Sequence, residues 1–135
     1  MHVTKLTRYD IDALRSLYES VDWVNYLKDD ARFARMFSAS LACYGAYEGD
    51  ELIGLIRLVG DGEHILYIQD ILVKPDHQTK GVGKHLMNRA LDDYLHVRQK
   101  VLITDIADTH VHAFYASLGF MRSQDKNVVC FVKFN

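Results

Sequence analysis

Two glycines flank Val82 in DHQTKGVGKHL, residues 76 to 86, just ahead of a stretch with helical periodicity. A loop that runs straight into a helix leaves the first helical amides without intrahelical partners, pointing at any anion placed there. Gly81 and Gly83 have no Cβ, so a pyrophosphate can approach the backbone closely and the chain can take up unusual dihedrals. The spacing predicts a phosphate cradle and excludes two common kinds. A nucleoside-triphosphate loop ending on Gly83 and Lys84 would need glycine where Gln78 stands and Ser or Thr where His85 stands, and the dinucleotide GxGxxG is missing as well. The other reactive side chains are scattered. Seven histidines form no HExxH pattern, and His110 and His112, two apart on a predicted helix, diverge, so no metal is expected. Cys43 and Cys130 stand far apart in apolar surroundings with no CxxC, which predicts reduced, buried thiols.

The elements that would position the cradle can be read from periodicity. Residues 2 to 6 predict a short strand. Thr7 is a plausible N-cap, with Asp10 three residues on, for a helix carrying Ile11, Leu14, Leu17, Tyr18 and Val21. Asp29 or Asp30 caps a second short helix with Phe33, Ala34 and Phe37 on one face. LACYGAY, LIGLIRLV and ILYIQDILV, divided by EGDE and GDGE, predict an antiparallel meander that Pro75 stops. Val82, Leu86, Ala90, Tyr94 and Val97 predict one long surface helix from Gly81 to Arg98. VLITD, residues 101 to 105, then reads as a strand joined by a parallel crossover, residues 109 to 118 as a helix ended by Gly119, and the tail NVVCFVKF as a last strand. The fold class is α/β, a central mixed, mostly antiparallel sheet flanked by about four helices, in a single domain spanning residues 1–135.

Composition narrows the partners. A chain of 135 residues that is 49% hydrophobic can bury a substantial core. The formal net charge is -2 without long runs of like charge, which argues against a nucleic-acid groove or a polybasic membrane anchor. The start MHVTKLTRYDID has no apolar leader, and no apolar run approaches the ~20 residues that span a bilayer. The expectation is a cytoplasmic protein acting on a small molecule or a protein.

YIQDILVKPDHQTKGVGKHLM resembles the acetyl-coenzyme A signature of the GNAT superfamily of N-acetyltransferases, a strand ending near proline followed by Gln or Arg, two residues, Gly, one residue, and Gly or Ala. HAFYASLGF resembles that superfamily's aromatic-Tyr helix, through Phe114, Tyr115, Leu118, Gly119 and Phe120. The resemblance implies an acetyl-CoA-dependent N-acetyltransferase. It implies that the amides of Thr79, Lys80, Gly81, Val82, Gly83 and Lys84, after Gln78, hold the coenzyme pyrophosphate. The backbone of Ile71 and Val73 would hold the pantetheine arm like an added strand, and the amide in the Leu72 to Val73 region would meet the oxyanion. Asp108 stands where similar enzymes often carry an Asn that contacts the coenzyme. Lys74, Lys80 and Lys84 surround the proposed cradle.

Tyr115 is the expected acid for the departing thiolate, because similar enzymes use a tyrosine there and a phenol has a proton to give at neutral pH. The base is less defined. Several members carry a glutamate at the position of Gln69, and an amide cannot act as a base. An alkylamine of pKa near ~10.4 is neutral at pH 7 only to about 10⁻³·⁴, a cost of roughly 4.6 kcal/mol. Strand alternation places the adjacent Asp70 on the face opposite Gln69, as base, substrate contact or structural group, and a water chain ending at a histidine is the other route. The resemblance puts the acceptor beside the amino-terminal helices, where Asp22, Trp23 and Tyr26, with Glu19, Asp29 and Asp30, would receive a cationic amine. The leading acceptor is a small primary amine. The alternatives are a protein lysine or amino terminus, or a non-catalytic acyl-CoA-binding regulatory module. A homodimer is expected from relatives that pair partly through carboxy-terminal strands.

Overall fold

The structure is a computed structural model describing residues 1–135. Its residues group into two compact units, Met1–Leu102 and Ile103–Asn135. The larger unit holds five strands, β1 (His2–Lys5), β2 (Ala42–Glu48), β3 (Glu51–Gly60), β4 (Ile65–Val73) and β5 (Gln99–Leu102), and three helices, α1 (Ile11–Ser20), α2 (Asp30–Ser38) and α3 (Val82–Asp93). The sheet follows chain order, β1 through β5. Neighbours are antiparallel except β4 and β5, which run parallel with α3 as the crossover. The meander and the crossover are as the periodicity predicted.

Alternation along β2 and β3 divides the core. Leu55, Cys43 and Leu72 pack with Leu14, Leu17 and Tyr18 of α1 and Phe33 and Phe37 of α2, all buried. Positions of the opposite parity face α3: Tyr44 donates from its hydroxyl to Asp93 at 2.7 Å, and a Cβ on Gly54 would lie 3.2 Å from Val82 and Leu86 side-chain atoms. β3 is therefore buried on both faces from Leu52 to Leu58, which explains why it reads as a nearly continuous apolar run. Phe33 and Phe37 are fully enclosed, each contributing about 1.5–3 kcal/mol by leaving water.

Helix boundaries depart from the sequence reading at the start of α1 and the end of α3, while the cap of α2 falls on one of the two aspartates expected. Asp10, not Thr7, caps α1, its Oδ1 accepting from Ala13 N at 3.1 Å. Asp29 caps α2 the same way through Arg32 N, at 3.0 Å. α3 ends at Asp93 rather than Arg98. Beyond it Val97 N donates to Tyr94 O, and this turn still sends Val97 inward, so the apolar rhythm outlasts the helix.

The smaller unit holds α4 (Thr109–Ser117) and a 3₁₀ turn at Ser123–Lys126. The tail predicted as a last strand forms none. Its final backbone bond runs from Val128 N to Ser123 O, and no strand lies alongside to complete a ladder, so β propensity alone does not make a strand. Phe131 and Phe134 are 91% and 82% exposed, and Cys130 is exposed, whereas Cys43 is buried as expected.

Candidate functional site

The loop after β4 folds as a nest of unspent donors. Pro75 opens a 3₁₀ turn through His77, Thr79 takes φ 64° and Gly81 φ 83°, and α3 begins at Val82 without a side-chain cap. None of the amides from Thr79 to Lys84 donates within the chain; the first helical bond runs from His85 N to Gly81 O at 3.1 Å. Amides left without intrachain partners at a helix start suit an anion, which the helix dipole also favours. The glycine at 81 serves conformation rather than space: a Cβ there would meet only the His85 ring, at 3.8 Å, but L side chains rarely adopt its φ. Of the three lysines, Lys74 is committed to Glu51 at 3.1 Å, while Lys80 and Lys84 make no ion pair.

β4 leads to this loop with one edge open. β5 pairs only with Ile65–Ile68, while β3 accompanies β4 to Val73. Lys74 N donates to Ile53 O across β3, so by alternation the backbone groups of Val73 and Ile71 turn to the other edge, beyond the end of β5. Gln78 Nε2 donates to Val73 O there at 2.9 Å. Extended chain bearing amides could pair with that edge as an added strand.

A bulge sets the residues at the mouth of this edge. In the register Arg57 faces Asp70 and Leu58 faces Ile68, so Gln69 is the extra residue. The bulge breaks the alternation that predicted opposite faces for Gln69 and Asp70. Instead both reach one hydroxyl: Tyr26 Oη donates to Asp70 Oδ1 at 2.5 Å, and Gln69 Nε2 donates to Tyr26 Oη at 3.2 Å. Tyr18 Oη and Arg57 Nε both donate to Asp70 Oδ2, at 2.9 and 2.6 Å. Asp70 and Arg57 are 2% and 6% exposed. Burial disfavours the charged guanidinium, but the adjoining carboxylate outweighs it and holds the Arg57 pKa above its usual value. Burial and then Asp70 push Tyr18 and Tyr26 up, so both phenols stay protonated donors. Asp70 thus accepts three hydrogen bonds and is fully engaged.

Beside this cluster lies a cavity of about 450 Å³ lined by Tyr26, Lys28, Asp29, Arg32, Phe33 and Arg57 among others. Of the sequence-predicted acceptor residues, Tyr26 and Asp29 line it. Asp22 and Trp23 do not; both are exposed, Asp22 at φ 61° and Trp23 edge-on to Tyr18. Arg57, Lys28 and Arg32 were not singled out from the sequence, although an arginine inside LIGLIRLV, opposite an aspartate inside ILYIQDILV, is a legible sign of a buried pair.

In the smaller unit, Tyr115 stands on α4, half-buried, with its ring 6.1 Å from that of Phe120 and 5.3 Å from that of Phe114. Burial first, and the Asp108 charge second, raise its pKa. Asp108 itself caps α4, its Oδ1 accepting from Val111 N at 3.1 Å.

Comparison with known proteins agrees with this geometry. The family described as Acetyltransferase (GNAT) family matches residues 8–120. A GNAT-family acetyltransferase from Streptococcus pneumoniae TIGR4 is 33% identical, with a TM-score of 0.85 over 99% of this chain and 97% of that one. An uncharacterized N-acetyltransferase of Gracilaria tenuistipitata var. liui is 32% identical over 83% of this chain and 62% of its own length. The structure of an AAC(6')-Iy in complex with the bisubstrate analog CoA-S-monomethyl-acetylneamine shares the fold, with a TM-score of 0.75 at 19% identity, over 99% of this chain and 97% of that one. With the cradle, the open β4 edge and this match in hand, the chain belongs to the acetyltransferase (GNAT) family and is an acyltransferase.

Proposed function

We propose that this acyltransferase moves an acetyl group from acetyl-CoA to the primary amine of a small molecule by direct attack. The observation that carries the reading is the continuity of two features: the open edge of β4 at Ile71 and Val73, and the run of free amides from Thr79 to Lys84. The first suits an extended arm bearing amides and the second a pyrophosphate, the two parts of a coenzyme A tail. The CoA-containing ligand of the AAC(6')-Iy structure supports the assignment by fold. Bound there, the thioester would supply the acyl group.

The chain's own residues then divide the work. Val73 N–H, turned to the open edge, is the donor for the negative charge that develops on the thioester oxygen. Tyr115 Oη gives its proton to the departing sulfur, and its raised pKa keeps that proton in place at neutral pH. Gln69 and Tyr26 present polar groups to the incoming amine. Asp70 is a positioning residue: three donors occupy its carboxylate, so it fixes Tyr26 and Arg57 rather than meeting the amine. Asp108 acts on α4 and on Tyr115, through its cap and its charge, rather than on the coenzyme.

Initial-velocity kinetics test the direct route. Intersecting double-reciprocal lines for acetyl-CoA and amine are expected; parallel lines would require an acetylated enzyme and would overturn it. A homodimer remains part of the proposal, supported by the exposed apolar side chains of Val128, Val129, Phe131 and Phe134. Light scattering at micromolar concentration should give twice the chain mass; a monomer would remove it.

A further inference from the structure

The cavity beside Tyr26 carries charge of the sign opposite to that expected for a polyamine or other cationic acceptor. Its lining includes Lys28, Arg32 and Arg57 against a single carboxylate, Asp29. That carboxylate is partly spent as the α2 cap, accepting from Arg32 N at 3.0 Å. Asp70 balances Arg57 from behind. Lys28 and Arg32 have no such balance: neither side chain makes a hydrogen bond or an ion pair, although acidic residues are plentiful on this face and Asp30 is instead taken by Arg15 at 2.6 Å.

The Arg57 guanidinium adds a second, independent sign. Its Nε donates to Asp70 and its Nη1 to Ser40 Oγ at 3.3 Å, while Nη2 donates to nothing. No fully enclosed side-chain nitrogen or oxygen in the protein lacks a partner, so Nη2 is open, and Arg57 opens on this cavity. An arginine only 6% exposed that lines a cavity and keeps one amino group unpaired is a fixed donor awaiting an acceptor. Phe33, Met36 and the Tyr26 ring supply the apolar part of the lining, and Arg57 lies over the Tyr26 ring at 5.8 Å, a contact that steadies the guanidinium.

We infer that the acceptor is an amine that carries its own anionic group, a carboxylate or a phosphate, and that Lys28, Arg32 and Arg57 Nη2 receive that anion in this cavity. The Tyr26 hydroxyl, hydrogen-bonded to Gln69 at the bulge, links the cavity to the open β4 edge, so an anion held by the cations leaves the amine end of the same molecule directed at the thioester. The inference rests on the acetyl-transfer reading and names the substrate class for it. It also accounts for the absence of a free carboxylate base at Gln69: a cationic cavity wall favours the neutral over the protonated amine, the reverse of what an acidic wall would do.

The test is thiol release from acetyl-CoA with matched acceptors of one chain length: an alkylamine, a diamine, the ω-amino acid and the ω-aminoalkyl phosphate. The anionic acceptors should exceed the alkylamine in kcat/KM by about tenfold or more, with the diamine poorest, as expected for a charge-assisted contact of ~1.5–3 kcal/mol. In the doubly substituted Lys28→Gln, Arg32→Gln protein that preference should fall about tenfold through the KM for the anionic acceptor, with the KM for acetyl-CoA unmoved. Both side chains are exposed, so the variant should melt with the wild type. The two anionic acceptors separate carboxylate from phosphate. Preference for the alkylamine or diamine, or a preference indifferent to the double substitution, would overturn the inference while leaving acetyl transfer intact; release with no amine at all would overturn both.

Discussion

Replacing Asp70 with Asn separates the structural from the catalytic reading of the buried cluster. The amide can keep its oxygen toward Tyr18 and Arg57 and turn its NH₂ to Tyr26, so the steric change is small, but the negative charge opposite Arg57 is gone. Arg57, 6% exposed and held charged, is left without its counter-ion. Removing one partner of a buried pair costs about 3–5 kcal/mol. With an unfolding entropy of ~2.1 cal/mol/K per residue, a chain of this length loses about 10–18 °C of Tm. Differential scanning calorimetry checks the drop. Arg57→Met should destabilise the wild type much more than it destabilises Asp70→Asn, because in the second case it removes an unpaired charge. At a temperature where Asp70→Asn is folded, kcat/KM should still rise with pH toward the acceptor's own pKa, since Asp70 positions its neighbours and is not the base. A Tm loss under about 3 °C, equal effects of Arg57→Met in both backgrounds, or a lost pH limb in the variant would refute this reasoning.

Tyr115→Phe should lower kcat by about 10² or more with the KM for acetyl-CoA unchanged, measured by steady-state thiol release. Asp108→Asn keeps an equally good N-cap but removes the charge that helps to raise the Tyr115 pKa, so the alkaline limb of kcat should move to lower pH while Tm stays nearly constant. The sign follows from the role: an acid must hold its proton, and a lower phenol pKa releases it earlier. Gly81→Ala imposes a strain of about 1–2 kcal/mol at φ 83°, and if the loop relaxes to escape it the KM for acetyl-CoA should rise roughly 5–30-fold with little change in kcat.

The cradle and the strand before it were legible because their signals are local: two glycines, a proline and a helical period within a short stretch. The buried faces of α1, α2 and α3 were legible for the same reason. The bulge at Gln69 was not, because one extra residue leaves no mark in composition, yet it overturns the predicted opposition of Gln69 and Asp70. The carboxy-terminal strand failed on the other side of the same physics. NVVCFVKF has the propensity, but pairing is decided by a neighbour that sequence alone does not supply. Lys28 and Arg32 drew no notice in the sequence because Asp22, Asp29 and Asp30 stand around them, whereas the fold assigns Asp29 to a cap and Asp30 to Arg15 and places Lys28 and Arg32 in the cavity lining.

The most direct test of the central claim is acceptor-stimulated thiol release from acetyl-CoA by the wild-type protein, with Tyr115→Phe alongside. The account predicts release that depends on an added amine, yields the acetylated amine in equal amount, and falls by about 10² in the variant. An absence of stimulated release across alkylamines, diamines, amino acids and aminoalkyl phosphates would contradict it, as would release undiminished in Tyr115→Phe.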